Sequence, residues 1–259
     1  TELVARFETW RMLRGGALRP GRILVIGARI DARQLRDAAL RRRAAVPAAI
    51  AATPEQRRLA QLAALARSLP AGRLEFESAT LLGLEATTRA DAARAIRIPR
   101  LSVERDRGQA RVHGTALLAD ALGRTLYFAL ELRGLEAAPT ALEGTLIAQG
   151  RALRLAGWQS LLAATPAAAA AVRTGAAGVA DLRVVLWVRS GQLQSGSVTL
   201  AARDLSFMPQ GSAARARVPM LSGSALLRRT ASGWSAAGSD LRLQAPGAPA
   251  ATLEWRAQV

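Results

Sequence analysis

The chain has 259 residues, enough to bury a core as one all-β unit or as two smaller ones. It carries 36 basic against 19 acidic residues, a formal charge of +17, yet no lysine contributes: the cationic side chains are arginine, and alanine is abundant. With no cysteine and one histidine, it excludes a disulfide framework, a thiolate nucleophile and a Cys/His zinc site.

In chain order, Leu13 to Gly21 is a turn-forming stretch, followed by a strand expected over Arg22 to Ile30. Asp31 with Gln34 has the spacing of a capping box and predicts a short helix. A second helix is better marked. Thr53 is its N-cap, Pro54 opens the first turn, and Leu59, Leu62, Ala66 and Leu69 fall near helical spacing before Pro70-Ala71-Gly72 ends it.

From Arg73 onward the pattern changes to a period of two. Leu74 and Phe76 alternate with Arg73, Glu75 and Glu77, and the segments Arg100 to Glu104 and Gln109 to Leu117 flank a turn ending at Gly108. Arg124 to Arg133 places Leu126, Phe128, Leu130 and Leu132 on one face, with Thr125, Tyr127, Ala129, Glu131 and Arg133 on the other. Ala141 to Gln149 follows as a strand, then Gly157 to Arg173 as a helix kinked or split near Pro166. Leu182, Val184, Leu186 and Val188 line one face of the next strand. Ser190-Gly191-Gln192 turns it, and Val198, Leu200 and Ala202 lie on the return. Arg217 to Thr230, Trp234 to Gln244 and Thr252 to Val259 are three further strands. The short links predict antiparallel pairing.

Chemistry finds little support in these residues. His113 sits on a strand with no serine-elbow motif, and the few carboxylates lie close to arginines, which suits solvated ion pairs. The chain therefore reads as non-catalytic and free of cofactors. The charge predicts a general, salt-screened attraction to anionic membrane surfaces. An Arg-rich nucleic-acid-binding domain is the lesser alternative, resting on charge alone, and no nucleic-acid partner is expected because the arginines are scattered and the longest basic run is Arg41 to Arg43. Leu161 to Val172, broken by Thr165 and Pro166, is too short for a spanning helix of about 20 residues. A start at Thr1 rather than Met raises the expectation of an anchor or signal upstream.

Thr125 to Gly134, Leu142 to Leu146, Ala156 to Leu162 and Asp181 to Leu193 follow one another in an order that resembles the YhdP family of AsmA-like envelope proteins. Ala202 to Leu205, Leu221 to Leu226 and Gly233 to Leu243 continue the resemblance, and Leu13 to Gly21 is similar to the turn near that family's N-terminal anchor. Asp31 to Leu69 departs from the pattern, an Ala- and Arg-rich helical insertion standing where shorter strands are expected.

The resemblance implies a bridge-like lipid transfer protein, anchored in the inner membrane of Gram-negative bacteria and crossing the periplasm. Its fold is a long, curved and twisted antiparallel sheet whose apolar face forms an open groove, with two or three accessory helices. Residues 1–259 would be one membrane-proximal segment: a first sheet portion over 1–150 with the insertion at about 31–69, then a helix and a second sheet portion over 151–259. The expected partners are phospholipid acyl chains and, for a structural or interaction module, other envelope proteins. Leu126, Phe128, Leu130, Leu132, Leu182, Val184, Leu186 and Val188 form the two cleanest alternating runs and are the candidate groove lining. Two rivals stand beside this: a closed β-sandwich in which the two runs face each other, and a core in which both pack under the helix from Gly157 to Arg173.

Overall fold

The computed structural model describes residues 2–7, 20–31, 54–69, 71–82, 96–137, 141–162, 176–208, 214–231, 233–244, 247 and 249–258. These residues form one 13-stranded sheet and two helices. The first part contains β1 (Glu2–Phe7), β2 (Pro20–Ile26), β3 (Arg29–Asp31), helix α1 (Pro54–Ser68), β4 (Gly72–Leu82), β5 (Ile96–Asp106) and β6 (Gln109–Leu117). Then come β7 (Thr125–Arg133), β8 (Glu143–Arg154), helix α2 (Leu155–Leu162), β9 (Ala177–Arg189) and β10 (Gln192–Phe207). β11 (Ala216–Thr230), β12 (Gly233–Gln244) and β13 (Ala251–Gln258) complete the order.

From β4 to β13 each strand pairs antiparallel with the next in sequence. Tight turns make this possible. Arg107 and Gly108 have φ of 32° and 78°, and Ser190 and Gly191 have 54° and 67°, the paired positive φ that suits the twist of two-residue hairpins. Only β2 and β3 run parallel to their neighbour β4, and the chain between them is the long crossover that carries α1.

One expectation is corrected, and two fall wholly or partly outside the described residues. The strand predicted over Arg22 to Ile30 is two strands, interrupted at Gly27, whose φ is 66° and whose N–H donates to Glu77 O at 2.9 Å. Asp31 ends β3, where Arg29 to Asp31 pair with Thr80 to Leu82, and the short helix expected after it falls on 32–53, outside the described residues. The helix predicted over Gly157 to Arg173 spans Leu155–Leu162, with 163–175 outside the described residues, as are 8–19, 32–53 and Pro139.

Two core clusters lie on one side of the sheet, while Val185 is buried on the other. Ala28, Ala79, Ile96, Ile98, Ala116 and Leu122 form the first, with Leu126 and Trp158 of α2 packed against it. Ala63 and Ala66 of α1 form the second with Ala110, Leu132, Leu135 and Leu142. The clusters occupy opposite ends of β6 and β7, so each helix covers one end of the same sheet face.

Candidate functional site

The register brings both predicted runs onto one face of one sheet. Leu126, Phe128, Leu130 and Leu132 of β7 lie opposite Gly150, Ala148, Leu146 and Gly144 of β8. Those same four residues pair on their other side with Leu182, Val184, Leu186 and Val188 of β9. Directly paired residues point to the same face, so the runs are side by side, one strand apart, not opposed across a sandwich.

The face continues in both directions with the same chemistry. Toward β4 it contains Val112 and Ala116, then Leu101 and Val103, then Leu74 and Phe76. Beyond β9 it contains Val198, Leu200 and Ala202 of β10, and Leu221, Ala225 and Leu227 of β11. These residues alternate with polar side chains on the opposite face such as Glu104, His113 and Thr199, but also with Leu226, and Ile147, Val185 and Trp187 form an apolar patch there beside them.

Burial differs sharply among the eight candidates. Leu132 is 1% exposed under α1 and Val188 is 8% exposed, while the other six are half-buried. Leu130 packs with the α1 cluster and Leu126 with the cluster that includes Trp158. Trp158 is fixed by its Nε1–H donating to Leu122 O at 2.7 Å. The rival core thus applies in part but through other elements: α1, not the later helix, covers Leu130 and Leu132. That assignment was illegible in the sequence because the α1 residues in contact, Ala63 and Ala66, lie more than sixty residues before Leu132.

Large side chains on this face lie over glycines of the adjacent strand. A Cβ on Gly114 would come within 2.9 Å of the Phe128 ring, one on Gly144 within 2.8 Å of Leu132, and one on Gly196 within 2.8 Å of Leu186. Trp255 lies the same way on Gly238, at 2.6 Å. Bulk spread sideways over a neighbour without a side chain makes a low apolar layer. This accounts for the small residues on the face without invoking a second layer to fill it.

The opposite face is electrostatically organised. Glu75 is fully buried there because Arg22, Arg73 and Arg100 close around it, Arg73 Nε at 2.6 Å and Arg100 Nη2 at 3.9 Å from its oxygens. Burial alone would raise its pKa; the Arg22 hydrogen bond and the three guanidinium charges outweigh this and hold it below the ordinary carboxylate range. Glu131 is likewise lowered, first by the hydrogen bond from Arg133 at 2.7 Å, with Arg111 adding to it. Asp240 is lowered by accepting from the Ser224 N–H and hydroxyl, both at 2.9 Å. It serves the backbone at an irregularity where β11 and β12 shift register. Asp181 does the same for Ala152 N–H at 2.7 Å, where β8 bulges at a φ of 50°. His113 is exposed on this face. Each of these carboxylates has a structural partner.

Among the described residues, no group of three His, Asp or Glu side chains is placed to hold a metal ion, and no helix is long and apolar enough to cross a membrane. Comparison with protein families, with curated proteins and with solved structures finds no match.

Proposed function

We propose that this chain is a segment of a periplasmic, bridge-like lipid transfer protein, in which the apolar sheet face carries phospholipid acyl chains between the inner and outer membranes. The observation that carries the reading is the register: two separated apolar runs share one face, and it continues across β10 and β11, where Val198, Leu200, Leu221 and Leu227 remain half-exposed. A folded protein gains little from so extended an apolar surface unless something covers it. An acyl chain laid along it gains about 0.8 kcal/mol per buried CH₂. Headgroups would stay at the wet margin, so transport needs no specific polar pocket, and shallow affinity repeated along the face favours movement. The resemblance to AsmA-like envelope proteins supports the same role.

The test is mass spectrometry of lipid co-purifying with the gently extracted protein, on the native chain and on Leu186→Glu. The native chain is expected to retain phospholipid, and the folded variant to lose most of it. Equal lipid on both, or none on the native chain, removes the reading.

One observation favours a second reading, an interaction module of the cell envelope. β13 pairs with β12 alone among the described strands, and all its side chains with described burial except Trp255 are exposed, an edge suited to strand addition by a partner protein. A stable protein partner recovered from lipid-free material, lost when Leu253→Pro interrupts the edge, would favour it.

A further inference from the structure

On the face opposite the apolar one, where β7 and β9 end and β8 and β10 begin, lies a recess of about 530 Å³. One row across these strands runs through it: Glu131, Thr145, Trp187 and Ser195 pair in turn, so their side chains share that face. Arg133, Glu143 and Arg189 line it from positions two residues away on the same strands, hence on the same side, and Gly144 and Val188 complete the strand ends. We propose that this recess is a carbohydrate site, in which Trp187 carries a sugar ring and the surrounding planar polar groups hold its hydroxyls. The proposal goes beyond the lipid-carrying reading and does not rest on it, since that reading concerns the other face.

Trp187 is the first observation behind it. The side chain is 40% exposed, while Thr145 and Ser195 on either side are half-buried. Both neighbours are shorter than an indole, so neither covers it. An exposed tryptophan among polar groups is an apolar platform with a wet edge. A sugar ring is its complement, with C–H groups on its face and hydroxyls around its rim.

The second observation is the supply of hydrogen-bonding groups. Glu131 is engaged by Arg133 at 2.7 Å and by Arg111 at 3.4 Å. Glu143 and Arg189 are exposed and have no ion-pair partner among the described residues. Gln194 is the extra residue of a bulge: Leu193 pairs with Val188 and Ser195 with Trp187, which leaves 194 outside the ladder. Its Nε2 donates to Arg189 O at a long 3.5 Å. A carboxylate accepts, a guanidinium donates and a carboxamide does both, each through two atoms in one plane. Adjacent sugar hydroxyls, which donate and accept alike, use all three.

The third observation is charge. Two carboxylates, Glu131 and Glu143, stand with two guanidiniums, Arg133 and Arg189, so the lining is neutral within a chain of formal charge +17. A phosphate is favoured by uncompensated arginine, and a quaternary ammonium by uncompensated acid beside an aromatic ring. Balanced charge around an exposed indole selects a neutral, polar ligand. The volume lies in the range of roughly 300–1,000 Å³ that small-ligand sites occupy.

The probes are immobilised neutral oligosaccharides of glucose, galactose, mannose and N-acetylglucosamine, with each hit repeated in solution against the native chain, Trp187→Ala, Trp187→Phe and Glu143→Ala. The native chain is expected to bind at least one of them, with an affinity that added salt does not lower. Trp187→Ala and Glu143→Ala should each weaken that binding by at least about tenfold, and Trp187→Phe, which keeps a platform, by less. Glu143 is exposed, so its variant folds and carries the test even where Trp187→Ala does not. Phospholipid retained by the gently extracted protein should be equal in Glu143→Ala and the native chain, which separates this site from the lipid-carrying face. Sugar binding that survives both Trp187→Ala and Glu143→Ala overturns the proposal. So does binding to none of the oligosaccharides, or binding of phosphocholine or phosphoethanolamine in their place, which assigns the recess to a zwitterionic headgroup.

Discussion

The two halves of the sheet carry the same alternation but differ in what covers it. On β4 to β9, α1 and α2 close over opposite ends of the apolar face, and Ile98, Val103, Ala116, Leu132 and Val188 are buried. On β11 to β13 no described side chain is fully buried, and Leu221, Leu227 and Trp234 on the same face are half-exposed. A period of two therefore reports which side of a sheet is apolar, and says nothing about whether that side is dry. Burial is decided by elements far away in the chain. The proposed function depends on the half-exposed positions of the apolar face, and the stability of the fold on the buried ones.

The largest contrast is expected from placing a charge at a fully buried and at a half-buried position of the same face. Leu132→Glu should abolish the cooperative melt, because an unpaired charge under α1 costs several kcal/mol. Leu186→Glu, on a half-buried side chain, should leave the domain folded, as read by circular dichroism. Unfolding by both would make the face a packed core; tolerance of both would place α1 elsewhere.

Next in size is the buried carboxylate. Glu75→Gln should destabilise by about 3 kcal/mol in denaturant melts, since it leaves three arginines gathered around a neutral amide. The pH dependence follows from the direction of the shift. Its folded pKa lies below the unfolded one, so the stabilisation is complete above the ordinary glutamate pKa of about 4.3 and is lost as pH falls from there through the lower folded value. Stability of the native chain should thus fall more steeply below about pH 4.3 than that of Glu75→Gln. Parallel acid limbs would show that Glu75 is not held ionised.

Smaller effects belong to the uncovered half. Leu227→Ala should cost about 1 kcal/mol or less, against about 3 kcal/mol for Leu132→Ala, because little apolar area is recovered from water in the first case and a cavity is opened in the second. Asp240→Asn should raise hydrogen exchange at the Ser224 amide while leaving the global melt in place, since that carboxylate serves one local irregularity.

What was legible in the sequence was local. The strands around Leu126 to Leu132 and Leu182 to Val188 were readable because large apolar residues recur at every second position, although Ala129, Val185 and Trp187 break the polar side, and the 107–108 and 190–191 turns because glycine marks them. The start of α1 was readable from Pro54. The parallel pairing of β2 with β4 was not, since nothing in Arg22 to Ile26 encodes the direction of a partner some fifty residues away. Nor was the burial of Glu75: its alternation with Leu74 and Phe76 assigns it to the polar side, and only the convergence of Arg22, Arg73 and Arg100 removes it from water. The eight candidate residues were identified as two runs, but their union on one face rests on β8, whose Gly144, Ala148 and Gly150 are too small to announce an apolar strand.

Site-specific photo-crosslinking in cells tests the central claim most directly, with a photoreactive amino acid placed in turn at Leu186, Val198 and Leu227 on the apolar face and at Arg183, Thr199 and Arg228 on the opposite one. The account predicts phospholipid adducts at the first three positions and none at the second three. Adducts distributed equally over both faces, or protein adducts alone at Leu186, Val198 and Leu227, would contradict it.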